Sequence, residues 1–191
     1  MAFDNLSSSD TSIETVHDYK LLGVIISSNL TWNARVNYIS TKASKRLYAL
    51  RVPKRYGAPA KYLIIVYCAF IRPVLEYASP VLDFSLTQSL FDQIEHIQKR
   101  ALKIAFPEDS YSTSLEMANL PTLYQQREHQ CQTLYKSIHQ QSDNKLRNLL
   151  PIASSHKYNL RNPRTYPLFK CRTERFKNSF IPKCVGIWER L

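Results

Sequence analysis

Residues 31–50 read TWNARVNYISTKASKRLYAL, and the reading of this stretch decides the fold. Its apolar positions, Trp32, Val36, Ile39, Ala43, Leu47 and Leu50, fall at intervals of 4, 3, 4, 4 and 3. Such intervals trace one face of a helix turning every 3.6 residues, not the alternation of a strand. Thr31 stands where a side-chain oxygen can cap the first turn. Lys42, Lys45 and Arg46 project from the other faces. Pro53 should end or kink the helix, and Tyr56-Gly57-Ala58-Pro59 is a break.

Downstream the same period recurs. Leu63, Val66, Tyr67, Phe70, Ile71, Val74 and Leu75 form a second helix, apolar almost all round and therefore expected to be the central buried one. Pro73 should kink or divide it. A third helix is expected from about Leu86 to Phe106, with Leu90, Ile94, Ile97, Ala101 and Ile104 inward. Lys99, Arg100 and Lys103 in its last turns suit the negative end of the helix dipole. Thr113 and Glu116 suggest a capping box for a short helix ending near Asn119. Pro121 opens the last clear helix, with Leu123, Tyr124, Arg127, Cys131, Leu134, Tyr135 and Ile138 at 3/4 spacing.

Upstream, Ile13 to Val16 and Tyr19 to Ser27 read as β-rich runs. His17-Asp18 suggests the hairpin turn between them, and Gly23 marks a bulge or a close backbone approach. The Ser- and Asp-rich residues 1–12 read as disordered. Residues 13–144 then make a hairpin plus helical domain, and 145–191 a basic C-terminal tail. The expected fold is mainly α: a bundle-like helical domain with a short N-terminal β-hairpin and an irregular tail.

Charge is the most informative bulk property, at +11 over 191 residues. Residues 145–191 carry 11 basic and 2 acidic residues, and Arg35 to Lys61 holds eight basic residues and no acidic one. Two basic stretches on a balanced background suggest a polyanionic partner. The apolar share of 44% is that of a globular protein. No apolar run approaches the roughly 20 residues of a membrane-spanning helix, and the N-terminus lacks the pattern of a signal peptide. The expectation is an intracellular protein, cytoplasmic or nuclear, neither secreted nor bound to a membrane.

Catalysis needs convergent groups, and the sequence offers none. Three glycines build no phosphate loop, and no nucleophile elbow or Cys–His signature appears. Glu108-Asp109 is the one adjacent carboxylate pair that could hold a metal, and it follows a helix end, where acids are usually solvated. Cys68, Cys131, Cys171 and Cys184 form no CxxC pair and read as buried free thiols. No metal, no cofactor and no autonomous enzymatic activity are expected.

The run Tyr19-Lys20-Leu21-Leu22-Gly23-Val24 followed by Leu30-Thr31-Trp32 resembles a segment of non-LTR (LINE-type) retrotransposon reverse transcriptases. That segment lies just downstream of their catalytic Asp-Asp turn. The resemblance continues through Tyr67 to Val81 (YCAFIRPVLEYASPV), Ile94 to Ile104 (IEHIQKRALKI), Leu120-Pro121-Thr122-Leu123 with Arg127, and Arg175 to Pro182 (RFKNSFIP) before Trp188. It implies a post-catalytic thumb and connector whose polymerase aspartates lie upstream of this chain. It also implies that Leu22, Gly23 and Val24 are primer-grip-like. Leu82, Pro53 and the ending Trp188-Glu189-Arg190-Leu191 depart from the family pattern.

The expected function is therefore that of a catalytically silent fragment holding RNA, DNA or an RNA–DNA hybrid through phosphate contacts. Lys42, Lys45, Arg46, Arg51, Lys54 and Arg55 are the candidates at the first helix. Arg161, Arg164, Lys170, Arg172, Arg175 and Lys177 are those in the tail. Tyr158, Tyr166 and Phe169 lie among the latter, where they either stack on bases or pack the tail down, with packing preferred for Phe169. Trp32 reads as core. The alternatives are a protein-interaction module, docking onto an intact reverse transcriptase or onto itself through an apolar patch near Leu21, Val24 and Ile26, and a relic reading frame without function.

Overall fold

A computed structural model of the chain describes residues 7–8, 11–12, 15–141, 143–153 and 165–188. The fold is mainly α-helical with a short antiparallel hairpin near the N-terminus. Within the Ser-rich start, expected to be disordered, β1 (Ser7–Ser8) pairs with β2 (Thr11–Ser12). The hairpin proper joins β3 (Asp18–Leu21) to β4 (Val24–Ser27), with Asp18 opposite Ser27 and Leu21 opposite Val24.

That register corrects the turn expected at His17-Asp18. Asp18 opens a strand, and the chain reverses at Leu22-Gly23, where φ is +46° and +81°. Two successive positive φ values make the tight turn that matches strand twist, and glycine takes the second position without a steric penalty. The positive φ, not a close approach, calls for glycine here, since a Cβ at Gly23 would make only an ordinary contact, 3.5 Å from Tyr77 Cε1.

The helices follow as α1 (Asn33–Arg46), α2 (Tyr48–Arg55) and α3 (Ala60–Val66). A π-turn over Tyr67–Ile71 leads into α4 (Arg72–Glu76), then α5 (Ser79–Leu82) and a 3-10 turn at Asp83–Ser85. Next come α6 (Gln88–Ala105), α7 (Tyr111–Ala118) and α8 (Leu123–Gln140). A 3-10 turn at Lys145–Leu149, α9 (Glu174–Lys177) and α10 (Phe180–Trp188) complete the described chain.

Several local expectations are corrected. Thr31 does not cap α1, because its hydroxyl donates to Asn29 Oδ1 at 2.9 Å and Trp32 occupies the cap position. Pro53 does not end the helix; α2 runs through it to Arg55, and the one-residue break falls at Leu47. The division expected at Pro73 is present, as a widened turn before it in which the Arg72 N–H reaches back to the Tyr67 carbonyl. The α7 cap is Ser110, whose hydroxyl accepts from the Thr113 N–H at 3.2 Å. The capping box expected at Thr113 instead forms at α8, between Thr122 and Gln125.

The main core gathers the stripes of three segments. Val36, Ile39, Ala43, Leu47 and Leu50 from α1–α2 meet Leu63, Tyr67, Ile71 and Leu75 from α3–α4 and Leu90, Ile94, Ile97 and Ala101 from α6. Each fully buried Leu or Ile contributes about 1.5–3 kcal/mol. Trp32 packs at its edge and donates to Ser85 Oγ at 2.7 Å, so the core reading of Trp32 holds.

The α3–α4 segment is not the buried centre that its composition suggests. Only every fourth residue faces inward, while Tyr62, Ile65 and Phe70 are 53, 61 and 46% exposed. Ala60–Ser85 is long and apolar enough by composition to cross a membrane, although no unbroken apolar run does so. The backbone there is not one helix, because it breaks between Glu76 and Ser79, where Ala78 has a φ of +61°.

A second cluster anchors the C-terminal part. Cys131 and Tyr135 of α8 pack with Tyr166 and with Cys184 and Val185 of α10, joined by Phe84, Phe169 and Phe180. The tail is thus less irregular than expected: α10 docks on α8 and α5. Phe169 and Tyr166 both pack, and the Tyr166 hydroxyl lies 3.1 Å from His139 Nδ1.

Candidate nucleic-acid interface

Lys42, Lys45, Arg51 and Arg55 are exposed on the α1–α2 segment. With Tyr38, 36% exposed, and Tyr48, 69% exposed, they follow one another at intervals of four, three, three, three and four. Each step joins neighbours on the helix surface, so two cations follow each aromatic ring along the outer side of α1–α2.

Two expected members of that face turn inward. Arg46 lays its guanidinium 4.3 Å from the centre of the Phe70 ring and donates to the Phe70 carbonyl. Lys54 donates through Nζ to the Ala105 carbonyl at 3.0 Å, which satisfies the C-terminal end of α6. Both cations hold helices together.

The tail residues also divide. Lys170 and Arg172 are exposed. Arg175 donates to the Asn29 carbonyl at 3.2 Å and so ties α9 to the loop before α1. Lys177 pairs with Glu174 at 3.1 Å. Arg161, Arg164 and Tyr158 lie outside the described residues.

Of the residues expected to be primer-grip-like, Gly23 lines a cleft of about 310 Å3 between the hairpin, α1 and α4. Leu22 is 83% exposed at the turn, and Val24 is buried. The apolar patch expected near Leu21, Val24 and Ile26 therefore lacks Val24, which faces the body beside α1. Beneath the turn lies Arg35, 2% exposed, whose two terminal nitrogens donate to the Gly23 carbonyl at 2.7 Å and the Tyr77 carbonyl at 3.3 Å. The Tyr77 hydroxyl closes the arrangement by donating to the Leu22 carbonyl at 2.7 Å.

Among the described residues, no carboxylate pairs with this buried guanidinium. Its Nε has no partner, the groups that act on it electrostatically are Tyr38, Tyr77 and Arg127, and burial pushes its pKa below the usual arginine value. Lys20 and Lys42 stand at the same cleft, 5.3 and 5.9 Å from the centre of the Tyr38 ring. Among the described residues, the lining of this one cavity has three cations, two aromatic rings and no acid. Such a site attracts an anion, and the rings offer faces to a base.

Lys20, Arg35, Tyr38 and Tyr77 are not legible as site residues in the sequence. Arg35 belongs to the acid-free basic stretch, but only the hairpin folding over it buries its charge. Among the described residues, no group of three or more His, Cys, Asp or Glu side chains could hold a metal. No protein-family model matches the chain, nor does any curated protein or solved structure.

Proposed function

We propose that the chain is a nucleic-acid-binding element without catalytic chemistry of its own. It grips a strand or duplex by its phosphates, as the resemblance to the post-catalytic part of a retrotransposon reverse transcriptase implies. What carries the reading is the buried Arg35 beside Lys20 and Lys42, a concentration of positive charge that no carboxylate among the described residues balances. The exposed Lys45, Arg51 and Arg55 extend that charge along α1–α2, where successive phosphates of one strand can follow. Contacts of this kind hold the backbone without reading sequence.

The experiment is binding of an RNA–DNA hybrid across a salt series, with B-form duplex and single-stranded RNA as competitors. About six phosphate contacts should cost roughly 10³-fold in affinity between 50 and 200 mM salt. A preference for the hybrid that persists at the higher salt supports a shaped grip. Equal, weak binding to all three that vanishes with salt removes it. Nucleotide incorporation by the purified chain would overturn the silent assignment.

A second reading, an interaction module, draws on the exposed Tyr62, Ile65 and Phe70 of the α3–α4 segment. Light scattering over a concentration series decides it, since a monomer at high concentration leaves that face without a self-association role.

A further inference from the structure

His96, Lys99, Arg100 and Lys103 stand on α6 at positions i, i+3, i+4 and i+7, so one face of the helix carries all four. That face forms a wall of a second cleft, of about 430 Å3, separate from the cavity under the hairpin. The facing wall is the start of α7, with Ser110, Tyr111 and the buried Ser114. Asp109 is the one carboxylate in the lining.

The three permanent cations are not ion-paired with any carboxylate among the described residues. The Lys99 ammonium rests 5.2 Å from the centre of the Tyr111 ring, and Arg100 donates to Ser44 Oγ at 3.3 Å. Like charges at this helical spacing repel one another, and a bound anion relieves that repulsion. The wall opposite is held firmly. The Tyr111 hydroxyl donates to Glu95 and accepts from the fully buried Gln98, which also donates to the Pro121 carbonyl at 3.0 Å. The positive end of the α7 dipole faces the same space and adds to the attraction.

We infer that the cleft between α6 and α7 binds a phosphomonoester dianion, such as the terminal phosphate of a nucleic-acid strand. The grouping of cations is what selects the ligand. On α1–α2 they are spread along an outer face, which suits successive diesters of one negative charge each. Here Lys99, Arg100 and Lys103 share one concavity with a single acid, which suits one group of charge near minus two. The strand end as occupant rests on the nucleic-acid reading above, whereas the phosphate site itself does not.

The full chain is titrated with three probes: inorganic phosphate, a 5′-phosphorylated oligoribonucleotide and its 5′-hydroxyl twin. A Lys99→Gln/Lys103→Gln variant, altered only at exposed positions and checked for native circular dichroism, is run beside it. The phosphorylated strand should bind about tenfold more tightly than its twin, and the variant should lose that advantage. Inorganic phosphate should bind the native chain and not the variant. Phosphate binding without any preference between the strands assigns the site to the free anion rather than to a strand end. A strand preference that survives the substitutions, or no variant-sensitive phosphate binding, overturns the proposal. If neither strand binds, the nucleic-acid reading falls, and the phosphate titration still decides the cleft.

Discussion

Arg127 Nε of α8 lies 2.7 Å from Asp83 Oδ1 in the turn after α5, and the two side chains are 1 and 3% exposed. Around them Gln130 donates to Glu76 at 2.8 Å and accepts from Ser79 at 2.7 Å, so α4, α5 and α8 meet through polar contacts. Burial raises the Asp83 pKa despite the opposing guanidinium, and it lowers that of Arg127. With its folded value above the unfolded one, Asp83 adds most to stability at low pH, and that contribution is lost as pH rises through the folded value.

Removing either partner should cost about 3–5 kcal/mol, with a different pH dependence for each. Arg127→Met leaves a carboxyl that can protonate, so part of the loss should return between pH 7 and pH 5. Asp83→Asn leaves a guanidinium that stays charged, so no protonation of the remaining partner restores its loss over that range. Urea unfolding of both variants at the two pH values checks this. A pH-independent loss for Arg127→Met would contradict it.

Leu22 holds φ at +46°, where a leucine is strained and asparagine is tolerated. Leu22→Asn creates an Asn-Gly turn and should stabilise the fold by about 0.5–1 kcal/mol. Its side chain is 83% exposed, so little packing is given up. A lower urea midpoint for the variant would show that the leucine makes contacts that outweigh the strain.

The basic residues of α1–α2 should separate into two classes. Neutralising Lys45, Arg51 or Arg55 should weaken binding to every duplex by a similar factor and lower the salt slope by about 0.9 for each phosphate no longer neutralised. Lys54→Gln should instead destabilise the fold by about 0.5–1.5 kcal/mol, because the Ala105 carbonyl loses its donor, with the salt slope unchanged. Salt-titrated binding and unfolding of the same variants compare the two directly.

Thiol reactivity reports on the second cluster. Burial pushes the Cys131 thiol up to about 12 and raises that of Cys184, so neither is a thiolate at pH 8. Alkylation of the native chain at that pH should label the half-buried Cys68 and Cys171 first. Cys131 and Cys184 should react only on denaturation, as mass spectrometry of the peptides will report. Equal labelling would mean that α10 leaves α8 readily.

The turn at Leu22-Gly23 is hard to see in the sequence for a physical reason. Leucine is no turn signal, and the donor that holds its carbonyl, the Tyr77 hydroxyl, comes from 55 residues away. Local propensity makes Pro53 look like a break, yet the segment stays helical to Arg55 with Leu50 packed into the core. Pro73, by contrast, does coincide with an interruption of the α-helix. The exposed side of the α3–α4 segment is invisible for another reason: composition says how apolar a helix is, not which side its neighbours cover.

What the sequence determined by itself was the helical class and the inward stripes of α1, α6 and α8, because those depend on a local period of 3.6 residues. It also determined that positive charge gathers between Arg35 and Lys61, because charge is additive along a chain. Only the tertiary structure decided what each cation does. Arg46 is engaged by Phe70, Lys54 by the Ala105 carbonyl and Arg175 by Asn29, while Arg35 is shut beneath the hairpin, where no carboxylate among the described residues pairs with it. A cation's role follows from which acceptors lie within about 3 Å of it, and residues far apart in sequence supply them.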